Sequence, residues 1–439
     1  MNISPQRRQE IIDALRRGTV PQRSLSAFAV GLERFVSTVD EELGRVERGG
    51  AVFKAVRGEY GTGKTFFVRF LQERARVLGF ATAEVQISET ETPLHHLETV
   101  YRRMVEHLST SDTLTGALRS ILDGWFYALE QDVLAEGGVE ETDADKLVEK
   151  TNALLETRLA AVTRTAPAMA AALRGYRESI SRGDHQTAEG LLAWLSGQPN
   201  VGPDIKRRAH LSGAIDHFGA LSFLQGLLTI LRDSGRPGLL VVLDEVETLQ
   251  RVRSDVRDKG LNALRQWLDE VDGGRFPGLY LVITGTLAFY DGPQGVQRLP
   301  PLAQRLHVQF GPDERFDNPR AVQIRLTPFG QERLVEVGKR IRDLYAQESK
   351  VPDRIYAKAD DGYLSELAQA VAGELGGKVG VAPRIFLKKL VAEVLDRIDQ
   401  FPDFDPRKHY SLTLSDVELT ATERGSRPAT SADDIDLSL

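Results

Sequence analysis

The chain has 439 residues, 41% of them hydrophobic and 27% charged, no cysteine, and a formal net charge of −7. A chain of this length can bury a large core in two or three domains, and without cysteine it has no disulfide, zinc–thiolate site or catalytic thiol. The negative charge argues against a broad electrostatic grip on nucleic acid, while a basic channel formed locally or by assembly stays compatible with it.

The N-terminal run MNISPQRRQEIIDALRR is polar and helical in pattern, so no secretory signal is expected. Apolar strings such as residues 239–243 are far too short to cross a bilayer. A cytoplasmic protein without membrane contact is the expectation. Residues 6–17 predict an amphipathic helix with Ile11, Ile12 and Leu15 on its apolar side. Gly18-Thr19-Val20-Pro21 breaks it, and Ala27-Phe28-Ala29-Val30-Gly31 leads to a second helix through Leu43. This leading arm, residues 1–50, either packs beside a nucleotide base or is a packing extension without ligand contact; the pattern alone leaves both open.

Residues 51–78 read as an apolar strand, a turn and a helix, the helix carrying Phe67, Phe70, Leu71, Ala75 and Leu78 at buried-stripe spacing. The turn Gly58-Glu59-Tyr60-Gly61-Thr62-Gly63-Lys64-Thr65 matches G-x-x-x-x-G-K-[ST]. Its glycines let backbone N–H groups curl around phosphates at a positive helix N-terminus. Lys64 would reach the β- and γ-phosphates and the Thr65 hydroxyl would hold Mg²⁺. Nucleotide contact is assigned to the whole run from Gly58 through Thr65 and on to Phe66. As a loop lysine, Lys64 is expected at the surface with little weight in the core. The bland reading is a glycine-rich loop ahead of an ordinary core helix.

Residues 80–88 alternate like a strand, so strand, loop, helix and strand form a βαβ unit with a parallel sheet. From residue 93 to about 232 the pattern is almost wholly helical: residues 94–108, 114–134, 143–164 and 168–180, a Gly/Pro-punctuated piece around 194–199, then 218–231. A nucleotide-binding sheet needs one helix here, so residues 93–215 read as a helical insertion. Leu239-Leu240-Val241-Val242-Leu243 is a strand buried on both faces, ending in Asp244 and Glu245 where open α/β sheets keep their chemistry. Asp244 would hold the Mg²⁺ shell through water, and Glu245 would polarise the attacking water. The alternative is a strand ending in a solvated turn.

A helix over 260–271 precedes another buried strand, residues 279–286, which ends in Thr284 and Thr286; spacing does not choose between them, and each could instead be satisfied by local backbone. Residues 300–306 follow, and a fifth strand over 321–326. The rest is helical, over 331–345, 363–375 and 383–398, the last with Leu387, Leu390, Val391, Val394 and Ile398 on one face and Arg384 in its first turn. The expected division is a nucleotide-binding domain over 51–327, a helical lid over 328–400 and a tail over 401–439 whose polar end, from Glu423, is disordered.

Phosphate loop, acidic strand end, polar strand end and C-terminal helices led by an Arg: this order resembles the AAA+ P-loop ATPases, in their origin-recognition-like and STAND-like branches. The resemblance implies an α/β fold with a parallel sheet in the order 5-1-4-3-2 and a lid over the nucleotide. It implies ATP and Mg²⁺ as cofactors. Thr284 or Thr286 would be sensor 1, and Arg384, in Ala382-Pro383-Arg384, sensor 2. Arg305 would be the arginine finger reaching a neighbouring subunit, with Arg298 its competitor and a surface salt bridge the bland reading.

The strings Ala14-Leu15-Arg16-Arg17-Gly18-Thr19-Val20-Pro21, Phe28-Ala29-Val30-Gly31 and Arg57 through Phe66 further resemble the ATP-binding BrxD family of bacterial BREX phage-defence systems. This implies a homo-oligomer that works with a helicase and other BREX components against foreign DNA. The forty or so residues after the lid are too few for the winged helix of origin-recognition proteins, so DNA contact through one is not expected. Three activities fit: ATP-driven assembly or remodelling, a slow or non-hydrolysing nucleotide switch that scaffolds partners, and a DNA-encircling motor or loader.

Overall fold

The computed structural model describes residues 3–137, 140, 142–374 and 382–412. The expected disorder from Glu423 onward lies outside the described residues. Among the described residues five strands form one sheet: β1 (Val52–Arg57), β2 (Ala81–Gln86), β3 (Leu239–Asp244), β4 (Leu279–Gly285) and β5 (Gln323–Arg325). Their order is β2-β3-β4-β1-β5 with every pairing parallel, which read from the other edge is the expected 5-1-4-3-2. The fifth strand is shorter than residues 321–326; just before it the Pro319 and Ala321 carbonyls accept from the Lys54 ammonium at 3.1 and 2.8 Å.

Side chains of the strands alternate between two cores, as the period of two requires. Leu239, Val241 and Leu243 face one core, and Leu240 and Val242 the other. The first core receives the helices between β2 and β3: α4 (Leu97–Glu106), α5 (Leu118–Glu136), α6 (Ala144–Thr165), α7 (Pro167–Ser181), α8 (His185–Leu195), α9 (Pro203–Arg208) and α10 (His217–Asp233). Asp233 ties this group together, accepting from Trp125 Nε1 on α5 at 2.7 Å and from Arg158 on α6 at 2.7 Å. Trp194 and Leu195, expected in a punctuated loop, are buried in α8, whose N-cap Asp184 accepts from the Thr187 amide. The same core takes α11 (Ser254–Asp272), α12 (Leu287–Asp291) and α13 (Pro300–Leu306).

The second core holds α1 (Pro5–Arg16), α2 (Glu33–Glu47) and α3 (Lys64–Val77), with the C-terminal helices α14 (Gln331–Ala346), α15 (Pro352–Lys358), α16 (Asp361–Glu374) and α17 (Ala382–Lys388). Four members of the α3 stripe are buried, but Leu78 is 49% exposed. Gly79, at φ +88°, stops the helix at Val77, so Leu78 never turns onto the buried face. The helix expected over 383–398 is wound in three pieces: α17, a π-helical stretch Lys389–Leu395, and α18 (Asp396–Gln400). Arg16 of α1 clamps it, donating to both Asp396 oxygens at 2.6 and 2.9 Å, while Tyr345 of α14 donates to the same carboxylate at 2.8 Å. The N-terminal arm and the C-terminal helices thus close on one side of the sheet. Among the described residues no helix is long and apolar enough to cross a membrane.

Candidate functional site

Parallel register fixes what meets at the C-terminal edge of the sheet. Val56 pairs with Thr284, Leu243 with Ile283, and Gln86 with Asp244, so the loop after β1, the acids after β3 and the end of β2 lie side by side. The loop is built on two glycine requirements. A Cβ on Gly58 would sit 2.4 Å from the Thr62 hydroxyl and 3.0 Å from the Leu326 carbonyl; Gly63, the N-cap of α3, has φ +89°. The Thr62 hydroxyl donates to the Glu59 carbonyl at 2.8 Å, which tightens the turn.

Lys64 is not the surface lysine that its loop position suggested: it is 8% exposed. Its ammonium donates to the carbonyls of Gly58 (2.9 Å) and Glu59 (3.2 Å) and stands 5.0 Å from the Tyr60 ring centre. Burial lowers its pKa, opposed chiefly by the charge of Glu247. The Thr65 hydroxyl donates to Asp244 Oδ2 at 3.3 Å, and the Thr284 hydroxyl donates to Asp244 Oδ1. The Glu245 amide donates to the Thr284 oxygen at 3.0 Å and to Asp244 Oδ1 at 3.1 Å. Burial raises the Asp244 pKa, with the Thr284 hydrogen bond pulling the other way.

The two threonines left open by spacing have different surroundings. Thr284 is fully buried against the acids, whereas the Thr286 hydroxyl caps α12 by accepting from the Phe289 amide at 3.3 Å. Glu245 takes the left-handed backbone, φ +59°, which is rare for a residue with a Cβ and marks a constrained turn. Its carboxylate accepts from Gln86 Nε2 at 3.0 Å.

The loop opens into a cleft bordered by Glu59's neighbours Tyr60, Gly61 and Thr62, by Phe66, and by apolar walls from the arm and the C-terminal helices, among them Val20, Phe28, Phe329 and Leu387; Arg384 also borders it. Residues of the arm, among them Leu15, Val20 and Phe28, thus line this cleft. Arg305 and Arg298 stand apart. Arg305 on α13 pairs with Asp269 and, at 3.6 Å, with Asp272; Arg298 pairs with Asp258 and donates to Ser254 at 2.7 Å. All four partners belong to α11, and neither arginine borders the cleft.

Two residues that the sequence did not single out stand in this site. Gln86 could be found only from the β2–β3 register. Glu247 had a signal, since Asp244-Glu245-Val246-Glu247 repeats an acid just past the strand; it is buried behind the loop, 4.0 Å from Lys64 Nζ. The arrangement fits a magnesium nucleotide. Hydroxyl and carboxylate oxygens converge at Thr65 and Asp244, a set suited to a hard cation. The helix N-terminus and a buried ammonium suit phosphates, and flat apolar walls suit a base.

The model of the BREX system ATP-binding protein BrxC/D family matches residues 3–414. The chain belongs to that family. This member of the BrxC/D family is accordingly an ATP-binding defence-system protein with an α/β, P-loop fold and the AAA+ strand order. Among solved structures it is similar to the Aeropyrum pernix ORC2 protein in its ADPNP-ADP complexes, at 12% identity and TM-score 0.34 over 87% of this chain and 70% of that one. Drosophila ORC bound to DNA is similar at 14% identity and TM-score 0.27, over 90% and 68%. No match was found among curated proteins.

Proposed function

We propose that this BrxC/D-family protein hydrolyses Mg-ATP in the cleft, with residues 51–327 as the nucleotide-binding domain, the insertion over 93–215 within it, and 328–400 as a lid. The observation that carries this reading is the bonded run Thr65–Asp244–Thr284–Glu245 at the sheet edge, directly below the loop. Lys64 exchanges the Gly58 and Glu59 carbonyls for the β- and γ-phosphates, and the loop amides from Gly61 to Thr65 close on them. Thr65 and Asp244 hold Mg²⁺, which when bound neutralises charge on the phosphate oxygens. Glu245 orients the attacking water and accepts its proton. Thr284 fixes both acids and takes the sensor 1 role; Arg384 reaches the γ-phosphate from the lid. Arg305 completes the site of a neighbouring subunit, and Arg298 is its alternative.

In the cell, turnover would drive assembly or remodelling on foreign DNA with a helicase and other BREX components. Steady-state phosphate release from wild type and Glu245→Gln tests the hydrolytic reading. Wild type is expected to turn over and the variant to bind ATP while losing on the order of 100-fold or more in rate. A wild type inactive with and without DNA would leave the second reading, a nucleotide switch that scaffolds partners. One observation favours that second reading: Glu245, the group that must meet water, is occupied by Gln86.

A further inference from the structure

Glu247 sits in the short 3₁₀ turn Val246–Gln250 after β3, borders the cleft and is 3% exposed. Neither of its carboxylate oxygens has a hydrogen-bond partner. A buried carboxylate without a side-chain hydrogen-bond donor loses its hydration and has chiefly the Lys64 charge, 4.0 Å away, to offset the loss, so its placement calls for a cause in the site itself. The turn puts it there: Glu245, in its left-handed conformation, swings the chain so that Asp244 and Glu247 both face the phosphate loop while the Glu245 side chain goes to Gln86.

Charged and titratable groups around Glu247 come from each neighbouring element. From α3 it faces Lys64, from its own turn Asp244 and Glu245, and from the loop Tyr60, whose hydroxyl accepts from Arg251 at 3.3 Å. From α12 comes Tyr290, whose hydroxyl is fully buried and also without a partner. Arg57 stands beyond it, 5.5 Å from the Tyr290 ring centre and paired with Asp291. Lys64, with Nζ at 4.0 Å, is thus the cation that Glu247 meets inside the cleft.

We propose that Glu247 is a positioning residue of the nucleotide site: its carboxylate is the counter-charge that keeps Lys64 folded back on the Gly58 and Glu59 carbonyls, so that an incoming phosphate must draw the ammonium away from it. This rests on the cleft being the ATP site. An ammonium has three donors, two of them used by the loop carbonyls; Glu247 and the phosphate compete for what remains. The competition follows the charge of Glu247. Burial lifts its carboxyl to about 7, with Lys64 acting in the opposite direction. Below that pH the group is neutral and the phosphate meets no competitor; above it the carboxylate is charged and binding weakens.

The test is titration of ATP and ADP with Mg²⁺ into the full chain at pH 6, 7 and 8, for wild type, Glu247→Gln and Glu247→Asp. Because the phosphates titrate in the same range, the reading is the ratio of wild-type to variant Kd. Glu247→Gln is expected to bind at pH 8 at least threefold more tightly than wild type, and the ratio to close toward one at pH 6. Glu247→Asp keeps the charge and is expected to keep the wild-type slope, its ratio to wild type staying flat; Glu247→Ala, also neutral, carries the test if the glutamine variant does not fold. A ratio of wild type to Glu247→Gln that is flat with pH, weaker binding by Glu247→Gln at pH 8, or a Glu247→Asp slope unlike that of wild type overturns the proposal. Wild type that binds neither nucleotide overturns the reading of the cleft as well.

Discussion

Thr284 and Thr286 lie two residues apart, yet the structure gives their hydroxyls unrelated tasks. The Thr284 hydroxyl donates to a buried carboxylate and accepts from the amide that follows it. Removing it leaves Asp244 and the Glu245 amide short of a partner in a dry site, where each loss is felt in full. Thr284→Ala is therefore expected to lower ATP turnover on the order of 100-fold, measured as phosphate release at saturating ATP. Thr286→Ala removes a helix cap worth about 1 kcal/mol, and should appear in denaturant melts while turnover stays within about threefold of wild type. The reverse pattern would move the strand-end role to Thr286. Lys64 makes a related point: the glycine-lysine motif was legible, but its ammonium's burial and its two carbonyl partners were not.

At the scale of elements, the periodic stretches announced themselves, and their limits were set by local stereochemistry. The strands over 239–243 and 279–285 were readable because burial on both faces demands unbroken apolar residues. The α3 stripe failed only at Leu78, where a left-handed glycine ends the helix. Nothing in the pattern of residues 383–398 announced the π-helical turn: the expected face of Leu387, Leu390, Val391, Val394 and Ile398 is buried, and the turn buries Lys389 and Leu395 as well. The contact of α1 with the start of α18 was also illegible, since it joins residues separated by 380 positions. Arg16→Ala breaks the bidentate pair with Asp396, which is partly solvent-screened, and is expected to cost about 1 kcal/mol. If the arm is clamped to the C-terminal helices through this pair, limited proteolysis should release residues 1–50 faster in the variant; an unchanged digestion rate would show that the apolar contacts of Ile11 and Leu15 suffice.

For the molecule as a whole, both candidate arginine fingers are tied to α11 and turned away from the chain's own cleft. Either these are surface ion pairs of small energetic weight, or one arginine exchanges its acidic partner for a neighbour's phosphate. The second case makes a sharp prediction. Arg305→Ala should hydrolyse roughly 1000-fold more slowly while still binding ATP, and mixing it with Lys64→Ala subunits should restore activity, because each supplies what the other lacks. No recovery on mixing refutes action across an interface.

The sequence by itself determined the five strands, the longer periodic helices, the glycine-lysine loop and the acids after β3. These are encoded within one turn or one strand, where residue spacing and chemistry suffice. Only the tertiary structure decided which threonine meets Asp244, that Gln86 holds Glu245, that Glu247 lies buried 4.0 Å from Lys64 without a hydrogen-bond donor, and that Arg305 and Arg298 rest on α11. Each of these depends on parallel register or on burial, which bring together residues far apart in the chain and set the electrostatic weight of every charge between them.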